Sequence, residues 1–247
     1  MAYDSWLYGF VFLPVCLAVY QLAPKGWRRR VLLAFSYVFF YLLSGTLLVY
    51  LPGTTLLIHC IGVWLTWVKS EEKAALTDVR GSEKKAVKSA YQKQSRRVLA
   101  LGVVILLGVL AYLKYYNFFA QNVTGAMETL NLPFSLEAKS LIMPIGISFY
   151  TLQAISYMAD VYWGKIKAET NLEKTALFLA FFPQIMEGPI ARYSDTADTL
   201  FAEKSLEIQN LQNGYLRIIW GLFKKRVIAD RLAVAVAAVF DNYTSYS

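Results

Sequence analysis

The sequence predicts an all-α integral membrane protein with about five membrane spans, a re-entrant segment and cytoplasmic interfacial helices. Of its 247 residues, 57% are hydrophobic and only 17% are charged, which does not fit the surface of a soluble protein. The charges lie in blocks between long apolar runs, as in chains that have a bilayer as their solvent. A soluble globular enzyme, a disordered chain and a disulfide scaffold are therefore excluded. The net charge of +8 is assigned to lipid headgroups rather than nucleic acid, because the basic residues flank the apolar runs.

The first three spans are predicted from uncharged runs. Residues 6–22 form the first run, close to the roughly 20 residues that a hydrocarbon core requires. The second run, 31–51, is followed by Pro52 and Gly53, a turn pair that predicts a hairpin. Residues 54–68 then form a shorter third span.

The next part of the chain begins with a polar stretch at 69–97, which we interpret as a cytoplasmic basic loop. A fourth span follows at 98–119, and a fifth at 141–163. We divide the chain accordingly into amino-terminal transmembrane helices, 1–119, and a second region, 120–247.

The distribution of basic residues predicts the orientation. Alternating spans place residues 25–30, 69–97 and 165–174 on one side, and these hold 16 of the 25 Lys and Arg residues. The opposite loops hold only Lys139. By the positive-inside rule the basic stretches are cytoplasmic, whereas the amino terminus and residues 120–140 lie outside.

The basic residues before and after residues 175–195 should both be cytoplasmic. We therefore predict that this segment is re-entrant, entering and leaving the membrane on the same side. Pro183 and the pair Gly188-Pro189 interrupt this apolar sequence. Backbone broken at membrane depth needs surrounding protein or a water-filled cavity, so the segment should line one. Residues 205–229 mix apolar with charged residues, as in a helix that lies along the cytoplasmic interface.

Four polar residues of the fifth span are spaced three or four positions apart and therefore share one helix face. They are Tyr150, Gln153, Tyr157 and Asp160. One interpretation is a hydrogen-bonded seam between helices. The other is the wall of a polar tunnel, favoured by Asp160, since ionisable residues within a bilayer are costly and commonly functional.

A second candidate cluster surrounds the Gly-Pro break. Gln184, Glu187 and Arg192 could approach a ligand there, or Glu187 and Arg192 could simply pair to close the loop. The single histidine, His59, has no carboxylate or nucleophile near it in sequence, so packing is the favoured role. No metal-ligand spacing is present, and no bound cofactor is expected.

Three cations lie together on the predicted interfacial helix: Lys224, Lys225 and Arg226. Such a cluster would attract a phosphate-bearing ligand. The alternative is attraction to anionic lipid without any ligand.

Three sequence blocks resemble the membrane-bound O-acyltransferase family, in its alginate O-acetyltransferase-like bacterial branch. They are MPIGISFYTLQAISYMADVYWGKI at 143–166, FFPQIMEGPIARYSD at 181–195 and GLFKKRVIADRLA at 221–233. The resemblance implies a multi-pass enzyme of the bacterial plasma membrane. It would take an acetyl group from a cytoplasmic thioester, such as acetyl-CoA, and pass it to a hydroxyl of an extracellular polysaccharide or cell-wall polymer. A secreted acetyltransferase or a polysaccharide-export component is the partner that the resemblance implies.

The family's catalytic histidine has no counterpart among these residues. It belongs to a Trp-His-Gly type motif that is absent here, and His59 lacks its flanks. The expectation is that the chain is the amino-terminal part of a longer enzyme, with the catalytic His beyond Ser247. The stripe and loop residues would then be tunnel or gate candidates without an assigned chemical step. Lys224, Lys225 and Arg226 would be donor-face candidates, since coenzyme A carries phosphate charges. A catalytically inactive scaffold or short paralogue, and a transporter, remain the alternatives.

Overall fold

The computed structural model describes residues 3–79, 81, 83–130, 144–186 and 188–241, without the side chains of Asp78 and Glu128. Helices account for 82% of these described residues and no strand occurs among them, so the all-α prediction is confirmed. The α-helices are α1 (Leu13–Leu22), α2 (Arg28–Ser44), α3 (Tyr50–Asp78), α4 (Glu83–Thr129), α5 (Ile147–Trp163), α6 (Leu172–Ala180), α7 (Tyr193–Leu200), α8 (Ile208–Phe223) and α9 (Asp230–Asp241). Among the described residues, π-helical Tyr8–Phe12 precedes α1, 3-10 Gly45–Val49 joins α2 to α3, and π-helical Lys224–Ala229 joins α8 to α9.

Two stretches of the described residues are long and apolar enough to cross a membrane, Arg28–Thr77 and Glu83–Met127. A shorter apolar helix covers Tyr8–Leu22. These helices support a membrane protein. The count of about five spans stays a prediction.

The turn between the second and third predicted spans lies earlier than Pro52-Gly53. Helix α2 ends at Gly45, whose φ of 57° and ψ of −129° are open to a residue without a Cβ. Pro52 instead lies in the first turn of α3, where the first N–H groups of a helix have no intrahelical partner. The predicted turn pair was therefore a helix start.

The polar stretch 69–97 is mostly helical rather than a loop. Helix α3 continues to Asp78 and α4 begins at Glu83, so only a short connection separates them. The Ala, Lys, Glu and Gln residues of this stretch are strong helix formers, which explains the continuation. With 47 residues, α4 is about 70 Å long, and it must extend beyond a hydrocarbon core of roughly 30 Å.

The core lies where α3, α4, α5 and α6 pack together. Small residues allow the close approach: a Cβ on Gly102 of α4 would lie 2.8 Å from Met158 Sδ, and one on Gly62 of α3 would lie 3.2 Å from Tyr157 Cε1. Such contacts are typical of membrane helices, which associate through packing because lipid and side chains are equally apolar. This packing buries one face of α5.

The chain forms two compact units, Ala23–Glu203 and the combination of Met1–Leu22 with Lys204–Ser247. This division differs from the predicted boundary near residue 120. The second unit is held by contacts between residues about 200 positions apart in the chain, which local patterns do not reveal.

Within that second unit, α8 runs antiparallel to α1. At one end the Leu206 N–H donates to Gln21 Oε1 at 2.9 Å. At the other end the Asp4 carboxylate lies 3.1 Å from Lys225 Nζ and 3.0 Å from Arg226 NH2. Because α8 and the residues that flank it contact both ends of segment 4–22, α8 extends along the same depth as that segment.

This arrangement bears on the prediction of an interfacial helix at 205–229, which stays a prediction. If residues 6–22 span the membrane, α8 spans it too and does not lie along the interface. An outside amino terminus and a cytoplasmic Lys224–Arg226 cluster cannot both hold, since Asp4 pairs with that cluster. The apolar stretch 232–240 belongs to α9, which continues the same helical segment.

Within the first unit, the three basic stretches lie at one end, as the charge distribution predicts. Arg29 and Arg30 pair with Glu173 at the start of α6, at 3.4 and 3.2 Å. Lys69, near the end of α3, donates to the Val161 carbonyl near the end of α5 at 2.7 Å. We call this end of the unit the basic end; its cytoplasmic location stays a prediction.

Candidate functional site

The four polar residues of α5 are buried on the face predicted for them. Each of these residues, taken whole, is at most 4% exposed. Gln153 donates to the Phe178 carbonyl of α6 at 3.0 Å. Tyr157 Oη accepts the Glu169 N–H at 2.8 Å. Half of this stripe therefore joins α5 to α6 and to the loop before α6, in the manner of a hydrogen-bonded seam.

Asp160 lies at the basic end, in the last turn of α5. Its carboxylate is 5% exposed and lies 3.4 Å from Lys165 Nζ, which is itself half exposed. The backbone carbonyl of Asp160 also accepts the Lys165 N–H at 3.0 Å. The backbone contact terminates α5. The solvent-exposed Lys165 partly neutralises the negative charge of Asp160.

Tyr150 is the member of the stripe without a polar partner. Its side chain is 1% exposed, and its hydroxyl makes no hydrogen bond with the described residues. The residue lines a cavity of about 370 Å³ between α3, α4 and α5. The lining is mainly apolar, with Tyr50, Thr54 and Thr151 as its other hydroxyl-bearing residues. A buried donor beside a cavity of this size is suited to a ligand that can accept a hydrogen bond.

The predicted re-entrant segment has the broken backbone that its sequence indicated. Nine residues of α6 lead into irregular chain from Phe181, and α7 begins at Tyr193. Gly188 has φ 124°, which favours glycine. The inner part is held by the Phe182 N–H, which donates to Ser36 Oγ of α2 at 3.2 Å.

The segment also approaches the start of α5. Gly146, at φ 76°, lies so close to it that an added Cβ would overlap the Ile185 carbonyl oxygen and lie 3.1 Å from the carbonyl carbon. The backbone of the segment and the first turn of the polar helix are therefore in direct contact. Only glycine fits between them.

The predicted loop residues are not joined to the α5 stripe by hydrogen bonds or ion pairs within the described part of the chain. Gln184 Oε1 is buried without a hydrogen-bond partner there. Arg192 is exposed and precedes α7, with its backbone carbonyl accepting from Thr196 Oγ1 at 2.9 Å. Glu187 lies outside the described residues, so its pairing with Arg192 stays a prediction.

His59 has a packing partner, as predicted. Its Nδ1 lies 3.2 Å from Thr175 Oγ1, so α3 and α6 share a hydrogen bond there. Among the described residues no group of three or more His, Cys, Asp or Glu side chains could hold a metal.

Glu169 is the residue that the sequence reasoning missed. One carboxylate oxygen accepts the Asn171 N–H at 2.9 Å, and the other accepts the Tyr193 hydroxyl at 2.8 Å and lies 3.6 Å from Lys174 Nζ. Burial raises the pKa of this carboxyl, but these hydrogen bonds and the Lys174 charge outweigh burial and leave the pKa below its usual value. Glu169 lies in an ordinary polar flank, and no local pattern distinguishes it.

The Lys224–Arg226 cluster is neutralised in large part by carboxylates. Lys225 and Arg226 share Asp4, and Lys225 also lies 3.4 Å from Asp230. The hydrogen bond from Lys225 is the main reason that the pKa of Asp4 is lowered. The cluster pairs with Asp4, which precedes the first predicted span. If Asp4 lies outside, the cluster cannot face a cytoplasmic donor. The outside amino terminus and the donor-face role of this cluster are therefore alternatives, and the donor-face role stays a prediction.

The long apolar helices of this fold support its assignment to the class of helical membrane proteins. No family model and no solved structure matches the chain. Curated relatives do match it. The probable alginate O-acetylase of Pseudomonas syringae pv. tomato is 34% identical over 97% of this chain and 42% of its own length. That of Pseudomonas aeruginosa is 34% identical over 94% of this chain and 41% of its own length.

A third relative carries a different polymer in its name. The peptidoglycan O-acetyltransferase of Helicobacter pylori is 32% identical over 60% of this chain and 32% of its own length. The chain spans about two fifths of the length of the alginate relatives it matches. Homology extends over nearly all of this chain, and its resemblance to the alginate O-acetylase-like branch of the membrane-bound O-acyltransferases is confirmed.

Proposed function

We propose that the protein carrying these residues is an O-acetyltransferase of the bacterial plasma membrane. It would move an acetyl group from a cytoplasmic thioester donor, such as acetyl-CoA, to a hydroxyl of an extracellular polysaccharide or cell-wall polymer. The observation that carries this proposal is the 34% identity, over 97% of this chain, to a protein named as an alginate O-acetylase. The peptidoglycan relative supports the same reaction on another polymer.

The structure supports a role for this part of the protein in forming a passage. The buried α5 stripe runs from Asp160 at the basic end to the Tyr150 cavity, about ten residues or 15 Å along the helix. The broken segment contacts the start of the same helix at Gly146. A passage beside these elements would bring a donor on one side toward an acceptor on the other. A secreted acetyltransferase or polysaccharide-export component would receive the acetyl group there.

The test uses the complete protein in its native membrane. Deleting its gene should remove alkali-labile acetate from the extracellular polymer, and the wild-type gene should restore it. Asp160→Asn and Arg192→Ala should restore less acetate at equal membrane content. Glu71→Ala, which changes an exposed carboxylate on α3, is the matched control and should restore it fully.

Unchanged polymer acetate after deletion would contradict the proposed activity. Full restoration by both variants would leave the activity in place and return Asp160 and Arg192 to packing roles.

A further inference from the structure

Both ends of the re-entrant segment contact the side chain of Glu169. On the entry side, Glu169 accepts the Asn171 N–H and lies 3.6 Å from Lys174 Nζ in the first turn of α6. On the return side, it accepts the hydroxyl of Tyr193, the first residue of α7, at 2.8 Å. We propose that Glu169 is a positioning residue that holds together the entry and the return of the re-entrant segment, which we call its base, and so fixes Arg192 and Tyr193 against α5. The inference rests on the proposed function for its activity assay only.

The entry contact acts through the helix cap of α6. The Asn171 side chain accepts the Glu173 and Lys174 N–H groups at 2.9 and 3.3 Å, which satisfies two of the free donors at the start of this helix. Glu169 binds the N–H of the same Asn171. The carboxylate therefore positions Asn171, the N-cap residue, and so orients the start of α6.

The return contact acts through an aromatic cluster. The Tyr193 ring is 8% exposed and lies 5.2 Å from the Tyr157 ring and 5.1 Å from the Phe178 ring, in edge-to-face arrangements. Those rings belong to α5 and α6. Packing positions the Tyr193 ring, and the hydrogen bond to Glu169 fixes its hydroxyl group. Arg192 is the adjacent residue, so its position follows from that of Tyr193.

The third contact joins Glu169 to α5. Its own N–H donates to Tyr157 Oη at 2.8 Å. Through backbone and side chain, one residue thus connects the polar helix with the entry and the return of the broken segment. The middle of the segment has separate contacts with Ser36 and Gly146. Loss of the Glu169 side chain should therefore loosen the two ends of the segment without unfolding all of it.

Conservative and non-conservative substitutions should behave differently. In Glu169→Gln the amide oxygen can accept the Asn171 N–H, while the amide NH₂ donates to Tyr193 Oη, whose hydroxyl can reverse its role. Only the attraction to Lys174 is lost. Glu169→Ala loses every side-chain contact, and Tyr193→Phe loses one hydrogen bond but keeps the ring.

The experiment uses the complete protein with Ala191→Cys as a reporter beside Arg192. In membranes, the maleimide labelling rate of this cysteine should rise severalfold in the Glu169→Ala and Tyr193→Phe backgrounds. It should stay within about twofold in the Glu169→Gln and Glu71→Ala backgrounds. The acetyl-transfer kcat per folded molecule should fall about tenfold in Glu169→Ala, and Glu169→Gln should restore it to within about threefold.

The two readouts separate the two proposals. If the wild-type protein transfers no acetyl group, the proposed function fails, and the labelling rates still decide the role of Glu169. Wild-type labelling and kcat in both Glu169→Ala and Tyr193→Phe would overturn the inference. A lower amount of folded protein with unchanged kcat and labelling per folded molecule would also overturn it, because Glu169 would then only stabilise the fold. If Glu169→Ala does not fold, the labelling rate and kcat of Tyr193→Phe, which retains the packed ring, decide between the two outcomes.

Discussion

Gly146→Ala should disrupt the contact between the broken segment and the start of α5. At φ 76°, an alanine costs about 1–2 kcal/mol relative to the right-handed region. Its Cβ would also overlap the Ile185 carbonyl oxygen and lie 3.4 Å from Met186 Cα, both of them backbone groups that cannot rotate away. Overpacking of this kind costs about 1–3 kcal/mol. Together the two effects predict a loss of roughly 2–5 kcal/mol in unfolding free energy, or an equivalent displacement of the segment.

The measurement is the thermal unfolding midpoint of the complete protein in detergent, together with acetyl transfer per folded molecule. Gly108→Ala is the matched control, because an added Cβ there meets nothing within 4 Å and α4 is helical at that point. The control should be neutral or slightly stabilising, since Ala favours helices over Gly. A Gly146→Ala protein as stable and active as the control would refute the argued contact between Ile185 and α5.

Two further predictions concern topology. Cysteines at Lys85 and Gly125, about 60 Å apart along α4, should label from opposite sides of the membrane, with Lys85→Cys accessible from the cytoplasm; labelling of both from one side would contradict the assignment of α4 as a span. A cysteine at Lys224 should label from outside, because its neighbour Lys225 pairs with Asp4 and the amino terminus is predicted to lie outside; cytoplasmic labelling would instead place the amino terminus inside.

The features that the sequence predicted correctly depend on local chemistry. Pro183 cannot continue a helix and the later pair Gly188-Pro189 disfavours a new one, so the break after α6 could be predicted. The grouping of the basic stretches follows from charge, and the pairs of Arg29 and Arg30 with Glu173 agree with it. The three-four spacing of the α5 residues placed them on one face because helix geometry is fixed.

The features that could not be predicted depend on contacts between distant parts of the chain. The periodicity of residues 205–229 fits either an interfacial helix or one packed beside α1, and only pairs such as Gln21 with Leu206 decide between them. Pro52 is as common in the first turn of a helix as in a turn, so the start of α3 was ambiguous. Glu169 gains its role from Tyr193, 24 positions away, and no periodic pattern reports such a contact.

The charge of Glu169 predicts an acid-dependent stability. Burial raises its pKa, but the hydrogen bonds from Asn171 and Tyr193 and the charge of Lys174 outweigh that effect, so the pKa lies below the ordinary value of 4.5. A lowered pKa means that the carboxylate stabilises the fold above the pKa of the unfolded chain, and that this stabilisation is lost as the pH falls through the folded pKa.

The contribution can be isolated by comparing the wild-type protein with Glu169→Gln between pH 6 and pH 3. Other carboxylates, such as Glu173, titrate in both proteins, so their effects cancel in the difference. The unfolding midpoint of the wild type should exceed that of the variant at pH 6. The difference should shrink below about pH 4.5, because a protonated Glu169 resembles the neutral amide. A difference that stays constant over this range would show that the negative charge of Glu169 does not stabilise the base of the segment, and that shape and hydrogen bonding alone hold it.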